Sequence, residues 1–183
     1  MKSRTRPFRI IVLSLVIALT VTIGAPVVLL FRAHAKAQNR LERLLCETDY
    51  HVLLDACREL SERTRRGDLK TGYYWVRRDK DPKASQFQFP QVILDIKPLF
   101  VEIDSEGMVR LEMAGLPSYG VIAFPDVPIT PSFFGDVELI PGLWYYDEDY
   151  NNFHHPQWKK KIDTMIQRGR KVGQGRRLGV SSN

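Results

Sequence analysis

Cysteine is scarce: Cys46 and Cys57 are the only two in 183 residues. On one continuous helix they would stand about 16 Å apart, well beyond the roughly 7 Å Cα separation a disulfide tolerates. Only a sharp turn near Thr48 and Asp49 would bring them closer. Neither their spacing nor nearby His51 makes a zinc motif, so both read as small, partly buried apolar residues. Glycine is not arranged to hold phosphate, since Gly173 and Gly175 follow no strand. The segment Gly115-Leu116-Pro117-Ser118-Tyr119-Gly120 lacks the spacing of a nucleophile elbow and joins two expected strands. No internal repeat is present. These absences leave no assigned catalytic residue and no expected cofactor.

Acid is missing from the first 35 residues, which contain Lys2, Arg4, Arg6, Arg9 and Arg32. Residues 36–158 hold 14 Lys/Arg against 20 Asp/Glu, whereas residues 159–183 hold eight against Asp163 alone. The pI near 9.4 thus comes from basic segments flanking a mildly acidic centre. Specific nucleic-acid binding is not expected of that centre.

What is present is one long apolar run. Residues 10–31 are 22 uncharged positions between Arg9 and Arg32. As a helix they extend roughly 33 Å, enough to cross the hydrocarbon core of a bilayer. Ala33-His34-Ala35 has the small-x-small form of a signal-peptide cleavage site, but a signal peptide's apolar core is about 7–15 residues. An uncleaved anchor is therefore expected, with the lipid bilayer as partner. Four Lys/Arg before the run favour a cytoplasmic N-terminus and an extracytoplasmic domain. Arg32, Lys36, Arg40 and Arg43 on the other flank oppose that signal.

The remainder divides into a juxtamembrane helical segment (32–48), an α+β domain (49–168) and a basic, disordered tail (169–183), after a basic flank (1–9) and the span (10–31). Thr48 or Asp49 is an N-cap for a helix ending near Gly67. Its Tyr50, Leu53, Leu54, Cys57 and Leu60 form an apolar stripe. Pairs Glu59–Arg63 and Glu62–Arg66 have favourable spacing on the outer side. Gly72 to Arg77 reads as an aromatic strand, and Gln91 to Ile96 as one or two helical turns. Val101, Ile103, Val109, Leu111 and Met113 alternate with charged residues around Asp104-Ser105-Glu106-Gly107, predicting a hairpin with one buried face. Val121 to Phe124 supplies a third strand. Prolines from 125 to 141 argue against regular structure there. The apolar stretch from Leu139 to Tyr146 reads as an edge strand or core plug. A last helix starts near Pro156, faces inward with Trp158, Ile162, Met165 and Ile166, and ends at Gly169. The expected fold is α+β, with a mainly antiparallel sheet of three to five strands packed by helices.

Four groups carry candidate chemistry. Asp147-Glu148-Asp149 with His154-His155 offers donors for a divalent transition metal, but the spacing matches no ligand motif and adjacent His side chains on a helix diverge by about 100°. An acidic loop before a helix N-terminus is the plainer reading. Asp147, Asp149, His154 and His155 are nonetheless the residues a membrane-tethered hydrolase or metal enzyme would use. His51 and Asp55 share a helix face without a nucleophile. Tyr73-Tyr74-Trp75 and Trp144-Tyr145-Tyr146 supply rings for stacking, half of which strand alternation turns into the core. Arg168, Arg170, Lys171, Arg176 and Arg177 form the strongest interaction segment, suited to anionic lipid or polymer. A binding or structural module at a membrane surface is the function expected ahead of an enzyme.

Overall fold

The computed structural model describes residues 27–29, 32–33, 35–76, 89–115, 118–124, 137–147 and 156–180; the side chains of 114–115 and 174–180 lie outside that description. The chain divides into two units, residues 1–39 and 40–183. In the first, residues 27–29 and 35–39 are helical. Among the described residues no helix is long and apolar enough to cross a membrane. Of the run 10–31 only residues 27–29 are described, and Val27, Val28 and Leu29 are exposed.

The second unit opens with helical residues 40–42, which lead into a turn of π-helix, Arg43–Glu47. The Thr48 hydroxyl donates to the Arg43 carbonyl at 2.9 Å, closing the turn. Asp49 then caps α1 (Tyr50–Arg65), its carboxylate accepting from the backbone N–H of His51 at 3.0 Å. Tyr50, Leu53, Leu54, Cys57 and Leu60 are all buried, as their spacing predicts. Of the outer-face pairs, Glu59 meets Arg63 at 3.6 Å, while Arg66 turns to Asp68 at 3.4 Å.

Among the described residues six strands follow: β1 (Gly72–Trp75), β2 (Phe100–Ile103), β3 (Val109–Gly115), β4 (Ser118–Ala123), β5 (Val137–Ile140) and β6 (Leu143–Asp147). A short α2 (Gln91–Ile96) precedes β2, and α3 (Pro156–Val180) closes the chain's described part. The sheet is antiparallel in the order β1-β2-β3-β4-β6-β5. The fold class is α+β, with one strand more than the upper expectation of five. The extra strand comes from the stretch 137–147, which forms a hairpin rather than one edge strand. Pro141 and Gly142 make its two-residue turn, and Gly142 takes φ +89°, the left-handed value such turns demand. β6 is consequently interior and β5 is the edge.

The predicted hairpin of β2 and β3 is present. Asp104 Oδ1 accepts from the N–H of Glu106 at 2.8 Å and of Met108 at 2.9 Å, and Gly107 has φ +88°. Val101, Ile103, Val109, Leu111, Met113, Val121, Ala123, Leu143 and Tyr145 are buried on one sheet face. That face packs against α1, which α2 and α3 flank.

The expectation that Gly169 ends the last helix is corrected: α3 runs on to Val180. Gly169 is not a stop signal but a point of close approach. A Cβ there would collide with the Leu45 carbonyl oxygen and the Tyr50 phenol. Gly173 lies similarly over Asp49, at 3.1 Å from where its Cβ would be. Packing against the π-turn and the start of α1 thus carries the helix through both glycines.

Candidate functional site

Alternation along antiparallel strands sends every second side chain to the face opposite α1. Register aligns these into two rows across the sheet. One runs Tyr73, Glu102, Arg110, Ile122, Trp144; the other runs Trp75, Phe100, Glu112, Gly120, Tyr146. Strands distant in sequence thereby bring together a polar chain and an aromatic group.

The polar chain centres on Glu112, a carboxylate only 2% exposed. Arg110 Nη2 donates to Glu112 Oε2 at 2.9 Å, and its Nη1 lies 3.8 Å from Glu102. The Ser118 hydroxyl lies 2.8 and 3.0 Å from the two Glu112 oxygens. The Tyr146 hydroxyl donates to Glu112 and accepts from Arg110 Nε at 3.0 Å. The guanidinium also sits 4.8 Å from the centre of the Tyr146 ring, a cation–π contact. Tyr73 faces Glu102 across the β1–β2 pair, and that carboxylate raises its phenol above the ordinary value. Burial, then the Glu112 hydrogen bond, pushes the Tyr146 phenol far above its ordinary value, so it stays a donor. Gly120 makes the arrangement possible: a Cβ there would strike the Leu111 carbonyl and the Tyr146 hydroxyl.

The aromatic group occupies the β1–β2 end. Phe100 meets Tyr73 and Trp75 edge to face, with centroids 5.5 and 5.6 Å apart. Tyr73 is 63% exposed. Four of the six aromatic residues singled out in the sequence, Tyr73, Trp75, Trp144 and Tyr146, thus face this side. Tyr74 turns the other way onto Phe89, and Tyr145 lies in the core.

The acidic and histidine cluster is placed differently from a metal site at its one described member. Asp147 is buried on the α1 side of the sheet. It accepts from the Tyr145 hydroxyl at 2.7 Å and from Trp158 Nε1 at 3.2 Å, joining β6 to α3. Asp149, His154 and His155 lie outside the described residues. Among the described residues no group of three potential ligands converges. Asp55 pairs with Arg58 at 2.8 Å rather than with His51. Both cysteines are free thiols; burial pushes Cys57 up to about 12 and raises Cys46 as well. Neither is an activated nucleophile.

The basic segment lies on α3. Arg168 and Lys171 are exposed. Arg170 instead clamps the sheet edge, donating to the backbone oxygens of Leu139 at 3.1 Å and Glu138 at 2.6 Å. Arg176 and Arg177 belong to the same helix. A cleft of about 490 Å³ opens between the π-turn and α2, but among the described residues Glu47, Asp49 and Asp95 line it against Arg43 alone. Asp49 is already engaged as a cap, so the cleft suits no anion.

Strand alternation puts Arg110 and Glu112 on the wet face of a hairpin, but nothing in their spacing joins them to Ser118 or Tyr146. The available signal was Gly120, a residue without a side chain amid an apolar strand. Comparison with family models, with curated proteins and with solved structures finds no match, so the reading of the site rests on its geometry alone.

Proposed function

We propose that this is a single-pass membrane-anchored protein whose α+β domain is a binding module at the membrane surface. Its partner meets the outer sheet face at Tyr73, Trp75 and Phe100. The observation carrying this reading is a ring cluster with Tyr73 63% exposed, mounted on strands braced by Glu102, Arg110 and Glu112. A ring that open adds little to a core, whereas aromatic side chains on a rigid support are favoured contact groups at interfaces. Binding is favoured over chemistry because Glu112, Ser118 and Tyr146 already hydrogen bond to one another. The uncharged run 10–31 and the exposed apolar helix at 27–29 support the anchor. The four basic residues ahead of the run favour an N-terminus inside and the domain outside.

The test is photo-crosslinking in membranes from cells producing the full chain. A crosslinking amino acid replaces Tyr73 in one protein and Glu59, exposed on α1, in another. The expected result is a discrete adduct from position 73, absent from position 59 and lost when Trp75→Ala is added. No adduct from 73, or the same adduct from both positions, would contradict the assignment.

A further inference from the structure

α3 has a buried side of Trp158, Ile162, Met165, Ile166, Gly169 and Gly173, with Trp158 only partly covered. On the opposite side Lys160, Thr164, Gln167, Arg168 and Lys171 are exposed. Spacings of three and four place them along one stripe. Asp163, exposed three residues from Lys160, is the one acid that borders the stripe, so three positive charges face one negative. The three are distinct from those the fold engages elsewhere: Arg170 holds β5, and Lys161 lies 5.3 Å from the centre of the Trp158 ring.

The position of this stripe matters as much as its charge. α3 packs on the π-turn, with the Cys46 thiol 3.7 Å from the Met165 carbonyl oxygen and Gly169 against Leu45. The π-turn follows helical residues 40–42, where the second unit begins, and lies close in sequence to the apolar run. Eleven residues, 32–42, separate the two. Even fully extended they span at most about 40 Å. A basic helix face tethered that near a bilayer experiences a high local concentration of lipid phosphate. Each basic residue near an anionic surface strengthens association roughly fivefold.

We propose that the exposed face of α3, through Lys160, Arg168 and Lys171, docks on anionic headgroups of the bilayer that holds residues 10–31. This second contact orients the domain and determines which way the outer sheet face looks. It rests on the anchored reading above, which supplies the tether.

The test uses the full chain carrying Gln167→Cys, labelled with a fluorophore and reconstituted into vesicles. One vesicle type is phosphatidylcholine alone and the other adds phosphatidylglycerol; both contain a headgroup spin-labelled quencher. Protein without Gln167→Cys measures labelling of Cys46 and Cys57. Quenching is expected in the anionic vesicles only, reversed by high salt. The exposed-site variant Lys160→Gln/Arg168→Gln/Lys171→Gln should weaken it roughly a hundredfold. Quenching equal in both vesicle types, or absent from both while the protein floats with them, overturns the docking and leaves the anchor standing. Failure to float with neutral vesicles overturns the anchor and the docking together.

Discussion

Glu112 pairs with Arg110 at a position 2% exposed, so its neighbours decide whether the outer face is stable. Removing Arg110 leaves a buried carboxylate without its counter-charge. Arg110→Met is expected to cost about 3–5 kcal/mol in urea unfolding, and Arg110→Met/Glu112→Leu to recover much of that loss. A double variant as unstable as the sum of the singles would show that the pair is not coupled. Cys57 gives a pH dependence of defined sign. Its thiol ordinarily ionises near 9.0 but is held protonated up to about 12 by burial. Above pH 9 the unfolded chain therefore binds fewer protons than the folded one, and stability falls as pH rises through 9 to 12. This single thiol accounts for about 4 kcal/mol by the top of that window. Denaturation midpoints across the window should decline less steeply in Cys57→Ala. Parallel slopes would remove Cys57 as a cause.

At the level of elements, short-range signals were legible where local chemistry alone decides. Asp49 as a cap, the stripe of α1, and the turn at Asp104 to Gly107 depend on residues within a few positions. The failures occur where distant packing overrides local preference. Gly169 has the sequence character of a helix end, yet it allows α3 to touch Leu45 and Tyr50 from more than a hundred positions away. Pro141 reads as a breaker but forms the β5–β6 turn. Gly169→Ala separates the two influences. In an uncrowded helix the change would stabilise by roughly 1 kcal/mol, whereas collision with Leu45 and Tyr50 predicts destabilisation by about 1–3 kcal/mol in thermal or denaturant unfolding. A stabilised variant would mean that the packed continuation of α3 is wrong. Arg170→Ala should similarly speed amide exchange in β5 while leaving β3 and β4 protected, because its two hydrogen bonds end on the edge strand. Equal exchange in β5 with and without Arg170 would show that the clamp is immaterial.

For the molecule as a whole, the sequence made the class and the sheet's two-faced character readable but not the site. Arg110 and Glu112 were visible as charged residues on a strand. Their burial depends on β6 lying beside β4, which brings Tyr146 across Gly120 from 34 positions away from Glu112. Asp147 illustrates the converse: its acidic neighbours drew attention, but its place in β6 turns it inward to Tyr145 and Trp158. Both the proposed partner face and the docking of α3 depend on residues 10–31 holding the domain at a bilayer. The most direct measurement is alkaline carbonate extraction of membranes from cells producing the full chain, alongside Leu15→Arg/Ile17→Arg. Each arginine near the centre of a span costs about 2.5–3.5 kcal/mol on insertion scales. The parent chain should stay in the membrane pellet and the double variant should move to the supernatant; a parent chain released by carbonate would contradict the anchored reading.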